Sequence, residues 1–314
     1  MTLFTTTHII AHGGVSDSIP SEDKQLSRKK ILKSAVIDGW NLLSGNKKED
    51  VSSDAVEKCV NIMESSGVLN AGIGAVKQSD GNQRMDASIM RGRDLQFGAV
   101  ASLRGYENPI TVAKYIMEKG DGHNMYAFDF ASPFAEQIGV KKIDSPQIKD
   151  IIFKHNIESN QKNDTVGCVA LDFNGNLSAG TSTGGRSNCL AGRIGDSPII
   201  GAGTYCNKEC GVSLTGHGEN IMKLSLGKRV VDLVTFEQLH PQIAVDRALI
   251  EYKTQFPMME QSVGIIAIDK SGRYGIGHTG KSMAFAIVTK QKEKGGTVQY
   301  GCLKGEIIEE LINI

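Results

Sequence analysis

A pattern that occurs twice constrains the fold of this 314-residue chain more than any other feature. The frame V-G-x-x-A-x-D-x-x-G-x-x-x-x-G fits residues 166–180 and again residues 263–277. In the first copy a β-rich apolar run is followed by Asn174-Gly175, a strong tight-turn signal, and then by a second β-compatible run. The repeat therefore predicts two β-hairpins of one design that lie side by side.

The apolar runs inside the repeat are continuous. Residues 168–171 and 264–268 consist only of Gly, Ala, Cys, Val, Leu and Ile. Because a strand with one wet face alternates apolar and polar residues, these runs indicate strands covered on both faces. The sequence therefore predicts a layered α/β architecture with sheets inside and helices outside. Candidate helices cover about residues 26–43, 53–64 with a Ser53 cap, 110–118, 131–138 and 235–252.

Charge and composition argue against several classes of partner. Lys and Arg together number 35, as do Asp and Glu, so no net charge directs the chain to nucleic acid or to an anionic membrane. No run approaches the ~20 apolar residues of a membrane span, and residues 1–11 lack an export signal. We expect a cytoplasmic protein whose six scattered cysteines are reduced thiols.

The start of the first hairpin carries a candidate catalytic residue. Thr165 follows Asp164 at the beginning of the strand, whereas Gln261-Ser262 precedes the second copy. If the chain were cut in front of Thr165, the new α-amine could act as general base for the hydroxyl of the same residue. An α-amine titrates near ~7.7 to 8.0, so a useful fraction is neutral at physiological pH. Thr165 is therefore a candidate nucleophile, and a plain strand threonine is the alternative.

Motifs along nearly the whole chain resemble, in order, those of the plant-type (type 2) asparaginase and isoaspartyl-peptidase family of amino-terminal-nucleophile hydrolases. The matching segments are His12-Gly13-Gly14, residues 70–76, residues 85–90, Asn108-Pro109-Ile110, the Thr165 hairpin, and residues 192–198, 201–205 and 215–219. The resemblance implies an α+β fold, a four-layer αββα sandwich.

The resemblance also implies self-cleavage between Asp164 and Thr165. Residues 1–164, including an exposed linker at 144–164, would become an α subunit, and residues 165–314 would become the β subunit of the same domain. The expected assembly is a homodimer of such αβ pairs.

The resemblance assigns roles to individual residues. Thr165 would attack the side-chain carbonyl of the substrate, and Thr183 would orient its hydroxyl. Asn70 would lie beside the nucleophile and its water. Thr215 and Gly216 fit an oxyanion hole, since one hydroxyl and one backbone N–H can point at the developing negative oxygen.

Arg193 and Asp196 also make chemical sense without the family, as a clamp for an amino-acid substrate. A guanidinium offers a planar fork for an α-carboxylate, and a carboxylate three residues on suits an α-amine. Such a clamp fixes the reacting carbonyl near the nucleophile. A surface ion pair that closes a Gly-rich turn is the alternative. Thr215, Gly216 and Gly218 complete the predicted substrate site.

A monovalent cation is implied by the resemblance alone, because backbone carbonyl ligands leave no side-chain pattern. The predicted ion is sodium, and the predicted carbonyl ligands are Met63, Glu64, Ser66, Leu69, Ala71 and Ile73. No cofactor for catalysis is expected.

Two departures from the family pattern bear on activity. Cys189 stands where the family usually has lysine, and Met90-Arg91-Gly92 replaces Met-Asp-Gly. They leave open a catalytically silent or poorly processed homologue that acts as a binding protein. A glycosylasparaginase is a weaker alternative, because that branch has Asn at the position of Gly184 and is exported.

One motif points to a different class of protein. Residues 275–282 satisfy the phosphate-loop pattern G-x-x-x-x-G-K-[ST] in full. Such a loop should follow directly on an apolar strand, yet residues 269–273 are mostly polar, and only residues 283–314 remain for further strands. We therefore predict that the segment forms the far strand of the second hairpin.

The residues assigned to chemistry are all intact, so the preferred function is that of a self-cleaving threonine hydrolase. Its predicted substrates are L-asparagine, hydrolysed to L-aspartate and ammonia, and dipeptides joined through a β-aspartyl linkage.

Overall fold

Two β-sheets form the middle of the molecule, in a computed structural model that describes residues 7–45, 49–143, 164–257, 261–290 and 296–312. The strands are β1 His8–Ser16, β2 Arg84–Arg91, β3 Phe97–Arg104, β4 Met125–Ala127, β5 Val166–Leu171, β6 Leu177–Thr183, β7 Thr204–Cys206, β8 Cys210–Gly216, β9 Val263–Asp269, β10 Tyr274–His278, β11 Ser282–Lys290, β12 Gly296–Leu303 and β13 Ile308–Ile312. The α-helices are α1 Glu22–Gly45, α2 Ser52–Glu64, α3 Pro109–Lys119, α4 Ser132–Gln137, α5 Gly218–Leu224, α6 Leu226–Thr235 and α7 Pro241–Gln255. Of the predicted linker 144–164, all but Asp164 lies outside the described residues.

The first hairpin lies at the centre of the larger sheet. Within the described residues this sheet has the strand order β13-β12-β11-β1-β5-β6-β2-β3-β4, and only β3 and β4 are parallel neighbours. The smaller sheet has the order β10-β9-β8-β7 and is antiparallel throughout. Because β5 pairs with β1 and β6 pairs with β2, both strands of the hairpin are fully buried.

Helices cover the outer face of each sheet. Trp40 on α1 and Ile110 on α3 are fully buried in one apolar cluster with the larger sheet, and Val245 on α7 belongs to a second cluster on the smaller sheet. The two sheets meet over a third cluster that includes Val169 and Ile266. Burial of each large apolar side chain contributes about 1.5 to 3 kcal/mol to this packing. The layers run α-β-β-α, so the predicted four-layer sandwich is confirmed.

The two repeated hairpins form as predicted, but they are not side by side. β5 and β6 lie in the larger sheet, whereas β9 and β10 lie in the smaller sheet, with β5 facing β9 across the core between them. A continuous apolar run specifies burial on both faces, and a stacked sheet satisfies that requirement as well as a neighbouring strand does. Residues 274–278, from the phosphate-loop pattern and the residue before it, form β10, the predicted far strand.

Two helix predictions are wrong in their bounds. The predicted helix 235–252 is divided, because Thr235 ends α6 and α7 begins at Pro241. Proline lacks an N–H and suits the first turn of a helix, so it starts a new one. The predicted Ser53 cap is also misplaced, since α2 begins at Ser52, whose N–H donates to Asp50 at 3.0 Å.

The helices lack the character of membrane spans. Among the described residues, no helix combines the length and the apolar composition that crossing a bilayer requires. The longest, α1, has 24 residues and carries charged side chains along much of its length.

Candidate active site

Thr165 lies directly in front of β5, where that strand enters the centre of the larger sheet. Thr165 is 6 % exposed and Asp164 is 5 % exposed, so the bond between them is buried. The Thr165 hydroxyl donates a hydrogen bond of 3.2 Å to Thr183 Oγ1 at the end of β6. Val166 and Ser182 are partners in the antiparallel ladder. The register of the hairpin therefore brings the predicted nucleophile and its predicted partner together.

Asn70 braces the chain that follows Thr183. Its Nδ2 donates to the Gly185 carbonyl at 2.8 Å, and its backbone carbonyl accepts from the Gly184 N–H at 2.9 Å. The Gly185 N–H donates in turn to Thr183 Oγ1 at 3.0 Å. A Cβ placed on Gly184 would lie 2.5 Å from Asn70 Oδ1, so a larger residue would displace that amide. Gly185, which bonds both Asn70 and Thr183, therefore links Asn70 to the pair of threonines.

His12, for which no role was predicted, holds the backbone of Thr165. Its Nδ1 lies 3.1 Å from the Thr165 carbonyl oxygen, and its Nε2 lies 2.9 Å from Ser213 Oγ. Burial lowers the pKa of His12 to about 3, against a smaller opposing effect of the bond to Thr165, so the ring is neutral. Because a carbonyl only accepts, Nδ1 carries the proton and Nε2 accepts from Ser213.

Ser213 begins a buried row of hydroxyls between the two sheets. Ser213 Oγ lies 2.6 Å from Thr181 Oγ1, which lies 2.6 Å from Thr204 Oγ1, and Ser88 Oγ follows at 2.8 Å. With the Ser213 proton directed to His12, Thr181 donates to Ser213 and Thr204 donates to Thr181. The row joins β8, β6, β7 and β2 behind the predicted nucleophile, Thr165. Small polar residues inside otherwise apolar strands were the available sequence signal.

Arg193, one of the two predicted clamp residues, is paired with an anion, Glu219. Its Nε and Nη2 donate to the two carboxylate oxygens of Glu219 at 3.0 Å each. Burial, the largest single influence, opposes the charge of Arg193, but Glu219 together with Asp196 and Asp86 outweighs it and raises the pKa of the guanidinium. Burial also opposes the charge of Glu219, whose pKa is held at about 2 by the bonds from Arg193. The fork has five N–H donors, so three remain for a substrate carboxylate.

Asp196 presents a buried oxygen that lacks a partner. Asp196 is 4 % exposed, and its Oδ2 has no hydrogen-bond partner among the described residues. Burial raises the pKa of Asp196 to about 7, although Arg193 opposes the shift. A Cβ on Gly218 would lie 2.7 Å from Asp196 Oδ1 and 2.9 Å from Arg193 Nη2. Buried polar atoms are nearly always paired, so an incoming ammonium group is a fitting partner for Oδ2.

Asp86, also without a predicted role, supports the loop that carries the clamp. Its carboxylate accepts from the Gly195 N–H at 3.0 Å and from the Ser102 N–H at 2.7 Å. Ser102 has a φ of 55°, where β2 and β3 shift register. Burial raises the pKa of Asp86, against the lowering effects of these N–H groups and of Arg193. An acidic residue inside an apolar strand was the signal for this support.

Thr215 and Gly216 end β8 beside the bend of β1. Thr215 is fully buried, and its Oγ1 accepts from the Val15 N–H at 3.3 Å. Gly216 has a φ of 137°, and a side chain there would collide with the backbone in front of β9. Gly14, next to Val15, packs against Asp164, since a Cβ on Gly14 would lie 2.5 Å from Asp164 Cα. Two residues of β1 therefore connect the predicted oxyanion hole to the predicted cleavage bond.

Comparison with known proteins agrees with the motifs. Two stretches of the chain, residues 5–151 and 149–297, match the family described as Asparaginase. The chain belongs to the asparaginase family. A Mus musculus protein named isoaspartyl peptidase/L-asparaginase is 35 % identical in a gapped alignment 303 residues long that covers 92 % of this chain and 90 % of that protein. A Pyrococcus abyssi protein named plant-type L-asparaginase is 36 % identical in a gapped alignment 301 residues long that covers 89 % of this chain and 95 % of that protein.

The two departures from the asparaginase family pattern occupy different places. Arg91 pairs with Asp94 at 2.7 Å and lies opposite Ser178, five residues along β6 from Thr183, a separation of roughly 16 Å. Cys189 lies half-buried in the loop before the clamp. Burial raises the pKa of its thiol, with Arg193 opposing, so the group is a neutral thiol at neutral pH. Arg91 is therefore remote from Thr183, whereas Cys189 is near enough to Arg193 for the guanidinium to affect the pKa of its thiol.

The loop predicted to hold sodium in this asparaginase-family chain turns tightly after α2. The carbonyl oxygens of Leu69 and Gly67 both approach the position of Gly74, where a side chain would collide with them. The Leu69 carbonyl accepts the Ala71 N–H at 2.9 Å and keeps a second lone pair. One of the six predicted ligands, the Leu69 carbonyl, therefore keeps an acceptor position for a cation. The sodium ion and its full set of carbonyl ligands stay a prediction.

Proposed function

We propose that this chain is a threonine hydrolase that cuts itself between Asp164 and Thr165 and then hydrolyses L-asparagine and β-aspartyl dipeptides. The observation that carries the proposal is the 3.2 Å hydrogen bond between the hydroxyls of Thr165 and Thr183. This hydrogen bond lies next to the buried peptide bond between Asp164 and Thr165, in front of a central strand. The printed names of the relatives, isoaspartyl peptidase/L-asparaginase among them, support the substrate class.

Self-cleavage begins when Thr165 Oγ1 attacks the carbonyl carbon of Asp164. The hydroxyl proton passes to the amide nitrogen as the C–N bond breaks, which leaves an ester between Asp164 and Oγ1 and a free α-amine on Thr165. Water then hydrolyses this ester. The products are the carboxylate of Asp164 and a free hydroxyl on Thr165.

The substrate reaction repeats this chemistry with the α-amine as base. The amine takes the Oγ1 proton while Oγ1 attacks the side-chain carbonyl of asparagine or the β-aspartyl carbonyl. Thr215 and Gly216 stabilise the oxyanion, and Arg193 and Asp196 hold the α-carboxylate and α-ammonium. The proton leaves with ammonia or the amino acid, and water releases aspartate from the enzyme ester.

The strand order explains why the two fragments would stay together after the cut. β1, from the fragment 1–164, lies between β5 and β11 of the fragment 165–314, and β2 pairs with β6. A cut at residue 164 removes none of these ladder hydrogen bonds. A homodimer of such αβ pairs and a structural sodium ion are further parts of the proposal and rest on the family resemblance. A cytoplasmic location is proposed with them.

Intact-mass analysis of freshly purified protein, followed for days at neutral pH, tests the proposal. We expect two fragments that meet between Asp164 and Thr165, and an intact chain for Thr165→Ala. Fragments of the same mass from Thr165→Ala would contradict the role of Thr165. A parent chain that stays uncut even with added glycine would favour the catalytically silent homologue.

A further inference from the structure

We propose that Arg28 is a positioning residue for self-cleavage, because it holds the aspartate on the acyl side of the bond to be cut. The inference rests on the proposed self-cleavage. Arg28 lies on α1, and its Nη2 forms an ion pair with Asp164 Oδ2. The two side chains are 10 % and 7 % exposed, so water screens the pair poorly.

The rest of the Arg28 guanidinium is buried as well. Its Nη1 has no hydrogen-bond partner among the described residues and is shielded from solvent. A buried guanidinium is costly to desolvate, and its anion is what makes that burial tolerable. The guanidinium of Arg28 is therefore a buried partner of Asp164 and not a solvated surface charge.

The backbone of β1 closes the opposite side of Asp164. A Cβ on Gly14 would lie 2.5 Å from Asp164 Cα and 2.8 Å from its Cβ. Gly14 has a φ of 98°, which lets this close approach occur. Beyond the bond to be cut, His12 holds the Thr165 carbonyl at 3.1 Å. The bond between Asp164 and Thr165 is therefore anchored on both sides.

Anchoring matters because the attack joins atoms of adjacent residues. Thr165 Oγ1 reaches the carbonyl carbon of Asp164 only in a narrow range of φ and χ1 of Thr165, the two rotations that lie between these atoms. Thr183 holds the Thr165 hydroxyl and His12 holds its carbonyl, so the ion pair on the Asp164 side chain fixes the other side of the peptide plane and thereby restricts φ of Thr165. A displacement of about 1 Å from a reactive geometry can slow a reaction on the order of 10²-fold.

The test follows the rate of cleavage by intact mass after a pulse of cell-free synthesis of the full chain. We expect Arg28→Met to slow cleavage on the order of 10²-fold. Lys33→Met is the matched control, because Lys33 lies on the same helix and pairs with Glu310 at the far edge of the sheet. The control should cleave within about twofold of the parent rate.

A double-variant cycle separates positioning from stability. If Arg28 acts through the Asp164 carboxylate, Arg28→Met added to Asp164→Asn slows cleavage little further. This pair also leaves no unpaired buried charge, so it serves if Arg28→Met alone does not fold. Arg28→Lys keeps the charge and should cleave at an intermediate rate.

Each failure has a distinct signature. A folded Arg28→Met chain, with a melting temperature near that of the parent, that cleaves at the parent rate overturns the role of Arg28 alone. If the slowing of cleavage in the double variant equals the product of the slowing in Arg28→Met and in Asp164→Asn, the role is overturned too, because the two residues then act independently. A parent chain that stays uncut overturns the proposed function and this role with it.

Discussion

The two hairpins of the repeat fold alike and differ in what surrounds them. In each, an aspartate accepts two backbone N–H groups of the turn at 2.9 Å through its Oδ1; Asp172 comes directly after β5, and Asp269 is the last residue of β9. The turn glycines Gly175 and Gly272 have φ values of 83° and 78°. The same local sequence has therefore produced the same turn in two sheets.

The residues in front of the two hairpins have different partners. A side chain, the ring of His12, holds the Thr165 carbonyl at 3.1 Å, whereas a backbone group, the His217 N–H, holds the Ser262 carbonyl at 3.1 Å. At the end of the first hairpin the hydroxyl of Thr183 accepts from the Thr165 hydroxyl, whereas after the second hairpin the hydroxyl of Thr279 accepts from a backbone group, the Val263 N–H, at 3.0 Å. The difference teaches that the nearby sequence determines the shape of a hairpin, whereas the surrounding residues determine which chemistry it can support.

The strongest test of this contrast removes the hydroxyl in front of each hairpin, that of Thr165 and that of Ser262. Thr165→Ala should abolish turnover of L-asparagine and β-aspartyl dipeptides, by at least about 10⁴-fold, because no other group can form the acyl-enzyme. Ser262→Ala should stay within about threefold of the parent, since the bond at Ser262 uses its backbone carbonyl. Steady-state kinetics on both variants measures this, and comparable losses would remove the distinction between the hairpins.

Two arginines provide the next comparison. Arg193→Ala should raise KM on the order of 10²-fold with a smaller change in kcat, because the carboxylate is held in both ground and transition states. Arg273 pairs with Asp269 at 2.6 Å in the second turn, so Arg273→Ala should leave KM unchanged. A fall in kcat at constant KM for Arg193→Ala would place the substrate carboxylate elsewhere.

The two turn aspartates should contribute comparably to stability. Asp172→Ala and Asp269→Ala each remove two charge-assisted hydrogen bonds from turn N–H groups and should lower the free energy of unfolding by about 2 to 3 kcal/mol. Asp172 also accepts the buried Val51 N–H at 3.1 Å, whereas the extra partner of Asp269 is the exposed side chain of Arg273, so the loss at Asp172 should be larger by up to about 1 kcal/mol. Urea unfolding of the two variants measures the difference. A larger loss for Asp269→Ala would show that the turns are not equivalent.

The smallest effect concerns the clamp that follows the first hairpin. Because burial raises the pKa of Asp196 to about 7, this carboxyl becomes neutral as the pH falls through 7 and then cannot pair with an ammonium group. Affinity for the product L-aspartate should fall by up to about tenfold for each pH unit below 7. Calorimetric titration of the mature protein between pH 5.5 and 8 tests this, and a constant affinity would exclude Asp196 as the ammonium partner.

Local signals predicted much of the fold. Continuous apolar runs and the Asn174-Gly175 turn predicted buried hairpins, because strand burial and turn geometry depend on residues close in the chain. The helix predicted at 235–252 is wrong for a local reason, because Pro241 starts a new helix there. The relative placement of the hairpins failed for a different reason, because residues far apart in the chain decide which strands become neighbours.

The candidate site was predictable only where a motif carried it. The pairing of Thr165 with Thr183 follows from the hairpin register, so it could be anticipated. The contacts of His12 with Thr165, of Arg28 with Asp164 and of Asp86 with Gly195 join residues 153, 136 and 109 positions apart. No periodicity or spacing in the chain signals such pairs.

The sequence by itself determined the hairpins, the turn aspartates and the presence of a threonine behind an aspartate, because backbone preference and burial pattern act over a few residues. The tertiary structure alone decided that a neutral histidine and a buried arginine hold the two residues in front of the first hairpin, while the second hairpin lacks these contacts among the described residues. The physical reason is burial: hydrogen bonds and ion pairs acquire their strength and direction only after distant strands and helices have excluded water from them.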